Sequence, residues 1–174
     1  MALYLIELTP ATASKDEATA LIETVSNSLS ESAELIETQV SADHKLIFAI
    51  IESENTAFAP ALTAAIGERA SVVGPDEVRL VGAELDDIKK LKKDADYLVE
   101  WDIPAEITME QYLTRKKANA PKYAEVPEVS FLRTYVREDT AKCLCFYDAP
   151  DEDAVLRARK AVSTPIDRLF KLHA

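Results

Sequence analysis

The sequence predicts an α+β fold built from two copies of a β-α-β-β-α-β unit, packed on each other as an intramolecular pseudo-dimer. The first observation is an internal repeat, because four short segments recur in the same order in the two halves of the 174-residue chain. The second is the hydrophobic pattern, which switches between strand-like and helix-like periods in the same order in each half. The third is that the central strands are apolar on both faces, and such strands need cover on both sides.

The repeat is visible as four pairs of matching segments. They are Tyr4–Glu7 with Tyr97–Glu100, Thr38–Val40 with Thr134–Val136, Ile47–Ile51 with Cys143–Tyr147, and Val78–Val81 with Asp167–Phe170. Each match is short, but their common order indicates a duplication. We therefore predict a first repeat at residues 1–82, a linker helix at 83–96 and a second repeat at 97–174.

The first repeat shows the expected elements in order. The predicted strands are residues 2–8, 34–41, 45–52 and 77–82. Ser14–Glu17 has the form of a capping box and begins a helix that runs to about residue 30. A second helix runs from about residue 55 to 66, and Gly67 ends it.

The second repeat has the same order of elements. Its predicted strands are residues 97–103, 129–137, 141–148 and 166–172. Thr108–Gln111 is a second capping box, and Pro121 ends the helix that it begins. Asp151 begins the last helix, which runs to about residue 162. Two such units correspond to the ferredoxin-like split βαβ motif.

The strand at 141–148 explains why the two repeats should pack together. Cys143, Cys145 and Tyr147 point to one face, and Leu144 and Phe146 point to the other. Helices cover one face, so we predict that the sheet of the other repeat covers the second, as in dimeric α/β barrels. The sequence leaves open whether this pseudo-dimer is a monomer or pairs again as a homodimer.

Composition and charge restrict the partners. The chain carries a net charge of -11 with a pI of about 4.7, which argues against nucleic acid and anionic membranes. It has no apolar run of about 18 residues and no signal peptide at its N-terminus. The two cysteines lie two apart on a strand, a poor geometry for a disulfide. We therefore predict a cytoplasmic protein whose partner is a small-molecule ligand or another protein.

The motifs of the second repeat resemble those of one known family. The segments are Tyr97–Pro104, an acid-x-acid-apolar-Pro strand; Thr134–Val136 followed by Asp139; Cys145–Asp151, with the pattern Cys-x-Tyr-x-Ala-Pro-Asp; and Pro165–Arg168. Over residues 97–172 the chain resembles the small ferredoxin-like family of unknown function named for an actinobacterial nickel-binding protein. The resemblance implies a ferredoxin-like fold, dimeric pairing and nickel binding.

Two positions depart from the family pattern. Ala49 stands in the first repeat where the second has Cys145. Arg133 stands where the family often carries a histidine, and an arginine does not ligate metal.

Candidate site residues cluster in the second repeat. Glu100 ends an apolar strand and is interpreted as a rim carboxylate paired with Arg or Lys; the alternative places it at the base of an apolar pocket, where it could act as a base with a raised pKa. The predicted ligand-binding set is Glu100, Trp101, Arg133, Tyr135, Cys145 and Tyr147. The predicted set for nickel or another divalent metal is Cys143, Cys145 and His44. The sequence Arg115–Lys117 is read as a solvated helix face, with contact to an anion as the alternative.

Recognised catalytic motifs are absent from the sequence. It has three glycines and no glycine-rich phosphate loop, and neither G-x-S-x-G nor H-E-x-x-H occurs. The sequence therefore favours a non-enzymatic protein that binds a small ligand, a metal or a protein partner. Two alternatives remain open: a small dimeric α/β-barrel-type enzyme with its pocket in the second repeat, and a nickel-binding protein.

Overall fold

A computed structural model describes residues 1–91 and 93–172 of the chain. These residues form two compact units. The first comprises Met1–Val78 and residues 85–91, and the second comprises Arg79–Glu84 and Lys93–Leu172. Residue 92 of the predicted linker helix and residues 173–174 of the predicted second repeat lie outside the described residues.

The first unit has the predicted order of strands and helices. The elements are β1 (Ala2–Pro10), α1 (Lys15–Ser28), β2 (Ala33–Val40), β3 (Ile47–Ser53), α2 (Ala59–Ile66) and β4 (Ala70–Val81). Strand β1 pairs antiparallel with both β3 and β4, and β3 also pairs antiparallel with β2, so the order is β2-β3-β1-β4. A short 3₁₀ turn, Gly67–Arg69, connects α2 to β4.

Two elements near the end of the first unit differ from the prediction. Strand β4 begins at Ala70 rather than at residue 77, and the Gly74–Pro75 pair lies within the strand. The pairing with β1 shifts register between Leu5 and Glu7, an irregularity of the kind that accommodates glycine and proline in a strand. The predicted linker helix is only α3, Leu85–Lys89, because its dense charges leave little apolar surface to bury.

The second unit repeats the same order of elements. They are β5 (Tyr97–Asp102), α4 (Met109–Asn119), β6 (Ser130–Arg137), β7 (Lys142–Asp148), α5 (Glu152–Ala161) and β8 (Arg168–Lys171). Strand β7 pairs antiparallel with β6 and β5, and β5 also pairs with β8, which gives the order β6-β7-β5-β8. The α+β class with two βαββαβ units is confirmed.

The helix starts follow from their capping residues. In α4 the capping box is complete, since Thr108 Oγ1 accepts from Gln111 N at 3.2 Å and Gln111 Oε1 accepts from Thr108 N at 3.0 Å. Asp151 caps α5 by accepting from Ala154 N at 2.8 Å. In α1 only half of the predicted box forms, because the carboxylate of Glu17 pairs with Arg69 instead of reaching back. After α4 the chain continues as a 3₁₀ segment, Ala120–Glu125, which contains the proline.

The helix-facing core of the second unit contains Val99, Trp101, Cys143, Cys145, Tyr147, Val136, Val155 and Ala158. This alternation along β5 and β7 agrees with the predicted faces of Cys143, Cys145 and Tyr147. Among residues 1–91 and 93–172, no helix is long and apolar enough to cross a membrane.

Gly82 provides a test of packing in the second unit. Its φ of 87° disfavours other residues, and an added Cβ would lie 2.8 Å from the Phe131 ring, which stacks on Tyr123. Gly67 also has a positive φ, but an added Cβ there meets nothing within 4 Å. We expect Gly82→Ala to lower the free energy of unfolding by about 2–4 kcal/mol and Gly67→Ala by only about 1 kcal/mol, measured by urea denaturation. Equal losses would contradict the described position of Phe131.

Candidate functional site

A cleft opens on the helix face of the second unit, where α4 and α5 lie over β5 and β7. It is lined by Trp101, Tyr112, Arg115, Lys116, Cys143, Cys145, Arg159 and Thr164. The cleft encloses about 270 Å³, including the part that opens to solvent, whereas its inner space is about 20 Å³. An adjoining hollow shares Lys116, Arg159 and Thr164 and is bordered by Tyr123 and Phe131. The inner space accommodates about one water-sized molecule.

The two cysteines form the floor of the cleft. Both are about 1% exposed, and Cys145 Sγ accepts from Thr134 Oγ1 at 3.2 Å and from Lys116 Nζ at 3.9 Å. A hydrogen bond from Cys143 and the nearby cations Lys116 and Arg159 lower the pKa of Cys145 well below its usual value, although burial opposes the shift. The same hydrogen bond and burial raise the pKa of Cys143. Cys145 is therefore the more acidic thiol of the pair.

Arg159 on α5 is a buried cation at the wall of the cleft, with 2% exposure. Its guanidinium donates to the Tyr147 hydroxyl at 3.1 Å and to the Pro165 carbonyl at 2.5 Å. Its Nε is buried without a hydrogen-bond partner, and no carboxylate in the described part of the chain pairs with it. Burial alone would lower the pKa of Arg159, but the nearby Cys145 and Tyr147 raise it, so the group remains charged.

Tyr112 on α4 supplies a second buried donor without a partner. The residue is 3% exposed, and its hydroxyl has a weak contact with the Cys143 sulfur but no well-formed hydrogen bond among the residues that the structure describes. Burial, and then Cys145 and Cys143, raise the pKa of Tyr112, so the hydroxyl keeps its proton. Two buried donors that line one cleft and lack acceptors are unusual in a folded protein. They indicate a place for a group that accepts hydrogen bonds.

A row of tyrosines connects Arg159 to the adjoining hollow. The hydroxyls of Tyr123 and Tyr147 lie 2.7 Å apart, and Tyr147 also accepts from Arg159. Burial raises the pKa of Tyr123 to about 12 and raises the pKa of Tyr147 as well. Both groups are therefore neutral near pH 7 and add no negative charge to the cleft.

The remaining cations of the cleft lie over aromatic rings. Lys116 Nζ is 4.4 Å from the centre of the Phe131 ring, and the Arg115 guanidinium is 5.4 Å from the centre of the Trp101 ring. Three cationic side chains thus line a space that holds one thiolate. The cleft carries a local positive charge within a chain whose net charge is -11.

The structure divides the predicted ligand-binding set between the two faces of the sheet. Trp101, Cys145 and Tyr147 lie on the helix face, and Trp101 and Cys145 line the cleft. Glu100, Arg133 and Tyr135 lie on the opposite face. The prediction of one shared pocket is therefore wrong, because Glu100 and Trp101 are consecutive on a strand and must point to opposite faces.

The opposite face has contacts of its own. The Arg133 guanidinium lies 4.8 Å from the centre of the Phe146 ring, and the Tyr135 and Phe146 rings are 5.9 Å apart. Glu100, 3% exposed, pairs with Arg168 and with Lys142, whose Nζ is 3.4 Å from Glu100 Oε1. Glu100 is therefore an ion-paired carboxylate and not the base of the cleft.

The predicted metal set does not assemble. His44 lies in the turn between β2 and β3 of the first unit, with a φ of 61°. Within residues 1–91 and 93–172, no group of three or more His, Cys, Asp or Glu side chains could hold a metal ion. Cys143 and Cys145 share the cleft with three cations, and such a donor set does not fit a divalent metal.

Sequence reasoning missed Tyr112, Thr134 and Arg159. The helical period of α5 held a signal, since Val155, Arg159 and Val162 fall on one face at spacings of four and three. An arginine on an otherwise apolar face indicates a buried guanidinium. For Arg115–Lys117, the structure brings Arg115 and Lys116 to the cleft and leaves Lys117 exposed.

The fold and the cleft together define an α+β protein with two ferredoxin-like units and a cationic, thiol-containing cleft in the second. Residues 97–172 match the family model described as "Nickel responsive protein SCO4226-like", which confirms the family resemblance for this segment. The chain also matches the structure of SCO4226 from Streptomyces coelicolor A3(2), with 17% identity over 44% of this chain and 94% of that chain and a TM-score of 0.38. No curated protein matches the chain in sequence.

Other solved structures match over nearly the whole chain, among them the following two. One is named "Putative Chlorite dismutase", with 13% identity over 100% of this chain and 96% of that chain and a TM-score of 0.60. The other is named "Putative monooxygenase" from Fusobacterium nucleatum, with 13% identity over 98% and 90% and a TM-score of 0.56. These likenesses confirm the predicted fold class of two ferredoxin-like units of the dimeric α/β-barrel type.

The division between the two faces can be tested at Glu100. We expect Glu100→Gln to lower the free energy of unfolding by about 1–3 kcal/mol, because the positive charges of Arg168 and Lys142 lose their buried partner. Urea denaturation measures this loss, with the exposed Glu106→Gln as the control. The near-ultraviolet spectrum of Trp101 in the cleft should stay unchanged. A spectral change at Trp101 would place Glu100 in the cleft after all.

The ionisation of Cys145 gives a second test. Because its pKa is lower in the folded chain than in the unfolded chain, the thiolate stabilises the fold above the unfolded pKa. That stabilisation is lost as the pH falls through the folded pKa. We expect thiolate absorbance at pH 7 in the wild type, none in Cys145→Ser, and less in Cys143→Ala, which lacks the donor. Equal absorbance in Cys145→Ser and the wild type would contradict the assignment.

Proposed function

We propose that this chain is a non-enzymatic binding protein that holds a small monovalent anion, such as a short carboxylate, in the cleft of its second unit. The observation that carries the proposal is the buried guanidinium of Arg159, whose Nε has no acceptor and which no carboxylate of the described chain neutralises. A buried cation is costly unless opposite charge and hydrogen bonds compensate it. A bound anion supplies both.

The charge of the cleft supports an anion even with Cys145 ionised. Arg115, Lys116 and Arg159 line the same space, and one thiolate balances only one of them. Charge-assisted hydrogen bonds from guanidinium and ammonium groups to a carboxylate are stronger than neutral ones. Tyr112 adds a neutral donor whose hydroxyl has no other acceptor within the described residues.

The size of the cleft limits the ligand. Its inner space of about 20 Å³ admits a group of about the size of one water molecule, while the outer part opens toward Trp101 and Arg115. A carboxylate group therefore fits if the whole anion is small, or if the rest of the anion extends out of the cleft. Formate is the simplest probe of this kind.

The donor set of the cleft argues against nickel, the ligand that the name of the matched family suggests. Nickel favours imidazole, thiolate or mixed nitrogen and oxygen ligands in a set of several. Here two thiols and a tyrosine hydroxyl share the cleft with three cations that would repel Ni²⁺. We expect dialysed, untagged protein to retain less than stoichiometric nickel by elemental analysis.

A second candidate is a small enzyme of the dimeric α/β-barrel type. The location of the cleft between the sheet and its helices supports it, because ligand sites favour such concave places. The likeness to the two whole-chain structures is one of fold, and fold alone does not imply activity. An enzyme would convert a bound ligand, whereas a binding protein would release it unchanged, so analysis of the recovered ligand distinguishes the two.

Trp101 is the single tryptophan of the chain and lines the cleft, so its fluorescence reports on occupancy. We expect sodium formate, titrated at constant ionic strength with sodium gluconate, to change the fluorescence of Trp101 in a saturable way. Arg159→Met should weaken the apparent Kd by about tenfold or more, because the buried donor and its charge are lost. Methionine replaces the apolar part of the arginine side chain with a similar volume, so the variant should remain folded.

The matched control is Arg157→Met on the same helix, since Arg157 is exposed and pairs with Glu128. It should bind formate as the wild type does, and circular dichroism should show both variants folded. Unchanged formate binding in folded Arg159→Met, or no saturable change in the wild type, would overturn the proposal.

A further inference from the structure

We propose that Cys145 is a reactive thiol that hydrogen peroxide oxidises to a sulfenic acid, which makes the cleft a site of reversible cysteine modification. This inference goes beyond anion binding, because it concerns a covalent change at sulfur and does not require formate to bind. It rests on the groups around the sulfur, the size of the space in front of it, and the position of Cys143.

The groups around Cys145 are those that activate a thiolate. Lys116 Nζ lies 3.9 Å from Sγ, Thr134 Oγ1 donates to Sγ at 3.2 Å, and Arg159 lines the same cleft. Reactive cysteines lie beside cations in this way and are partly open to solvent, whereas buried structural cysteines are inert. Cys145 is about 1% exposed and reaches solvent only through the cleft that it lines. The Nε of Arg159, buried without a hydrogen-bond partner in a residue that is 2% exposed and lines the cleft, independently indicates that a polar molecule enters here.

The size of the space selects the electrophile. Cys145 is about 1% exposed, and the inner cleft of about 20 Å³ admits a molecule not much larger than water. Hydrogen peroxide meets this limit, while aromatic disulfides and iodoacetamide do not. We therefore expect oxidation by peroxide without comparable reaction with bulky thiol reagents.

The chemical step balances with peroxide as the oxidant. The Cys145 thiolate attacks one oxygen of hydrogen peroxide, and the S–O bond forms as the O–O bond breaks. Sulfur loses two electrons, and the second oxygen leaves as hydroxide. The ammonium of Lys116 gives that hydroxide a proton, so water leaves and the lysine is reprotonated from solvent.

The position of Cys143 favours a lasting sulfenic acid over a disulfide. The two residues lie on the same face of β7, about 6.6–6.8 Å apart along the strand, at the upper limit for a disulfide. Their strand pairs with β5 on one side and β6 on the other, which prevents the backbone from bending. A thiol compound such as dithiothreitol can reduce the product back to the thiol.

The experiment treats the full chain with hydrogen peroxide, removes the excess with catalase, and then unfolds the protein in urea containing dimedone. Unfolding is required because dimedone is too large for the cleft. We expect one dimedone adduct by mass spectrometry, located at Cys145, kept in Cys143→Ser and lost in Cys145→Ser. Unfolding in urea that contains dithiothreitol, before dimedone is added, should remove the adduct, because dithiothreitol is also too large to enter the folded cleft.

The controls separate activation by Lys116 from mere accessibility. Lys116→Gln should slow oxidation by about tenfold near pH 7, because the pKa of Cys145 rises, while the exposed neighbour Lys117→Gln should have no effect. Raising the pH should restore the rate in Lys116→Gln. An adduct at Cys143, no adduct in the folded wild type, or equal rates with peroxide and iodoacetamide would overturn the inference.

The result is independent of the anion-binding proposal. Cys145→Ser should still bind formate through Arg159, because the serine removes the nucleophile and leaves the cations in place. In the wild-type protein, formate binding without oxidation of Cys145 would overturn only the reactive thiol, and oxidation of Cys145 without formate binding would overturn only the binding proposal.

Discussion

The second unit depends on one buried ion, the guanidinium of Arg159. A helix normally buries apolar side chains against a sheet, and α5 does so with Val155 and Ala158 before placing Arg159 at the next position of the same face. The cost of this burial is reduced by Tyr147 and Pro165, which accept two of its hydrogen bonds. The remaining positive charge needs a compensating group in the cleft, and the Cys145 sulfur provides part of that compensation.

The first unit shows what the same architecture does without such a charge. On its helix face Ile47, Ala49 and Ile51 pack with Leu62 and Ile66 in an apolar cluster. Ala49 stands where the second unit has Cys145, and the buried face of α2 carries no cation. This side of the first unit is therefore an apolar core, while the corresponding side of the second has a cleft lined by cations and cysteines. The two units share a topology and differ on this face.

The sequence predicted elements better than it predicted the site, and particular residues show why. Local signals were sufficient for the Thr108 capping box and for the shared face of Cys143 and Cys145, since both depend on neighbouring positions. They failed at the start of β4, where pairing with β1 extends the strand from residue 77 back to Ala70. They failed again at Glu100, which was grouped with Trp101 although the strand period separates the two.

The charge of the cleft was also not predicted, because the net charge of a chain says little about the local charge of its clefts. A value of -11 predicts cationic or neutral partners for the surface as a whole. Salt screens surface charges beyond about 8–10 Å, whereas Lys116 acts on Cys145 across 3.9 Å in a site shielded from water. The local cations therefore outweigh the distant carboxylates at the sulfur. An acidic protein can in this way present a site that attracts anions and holds a thiolate at neutral pH.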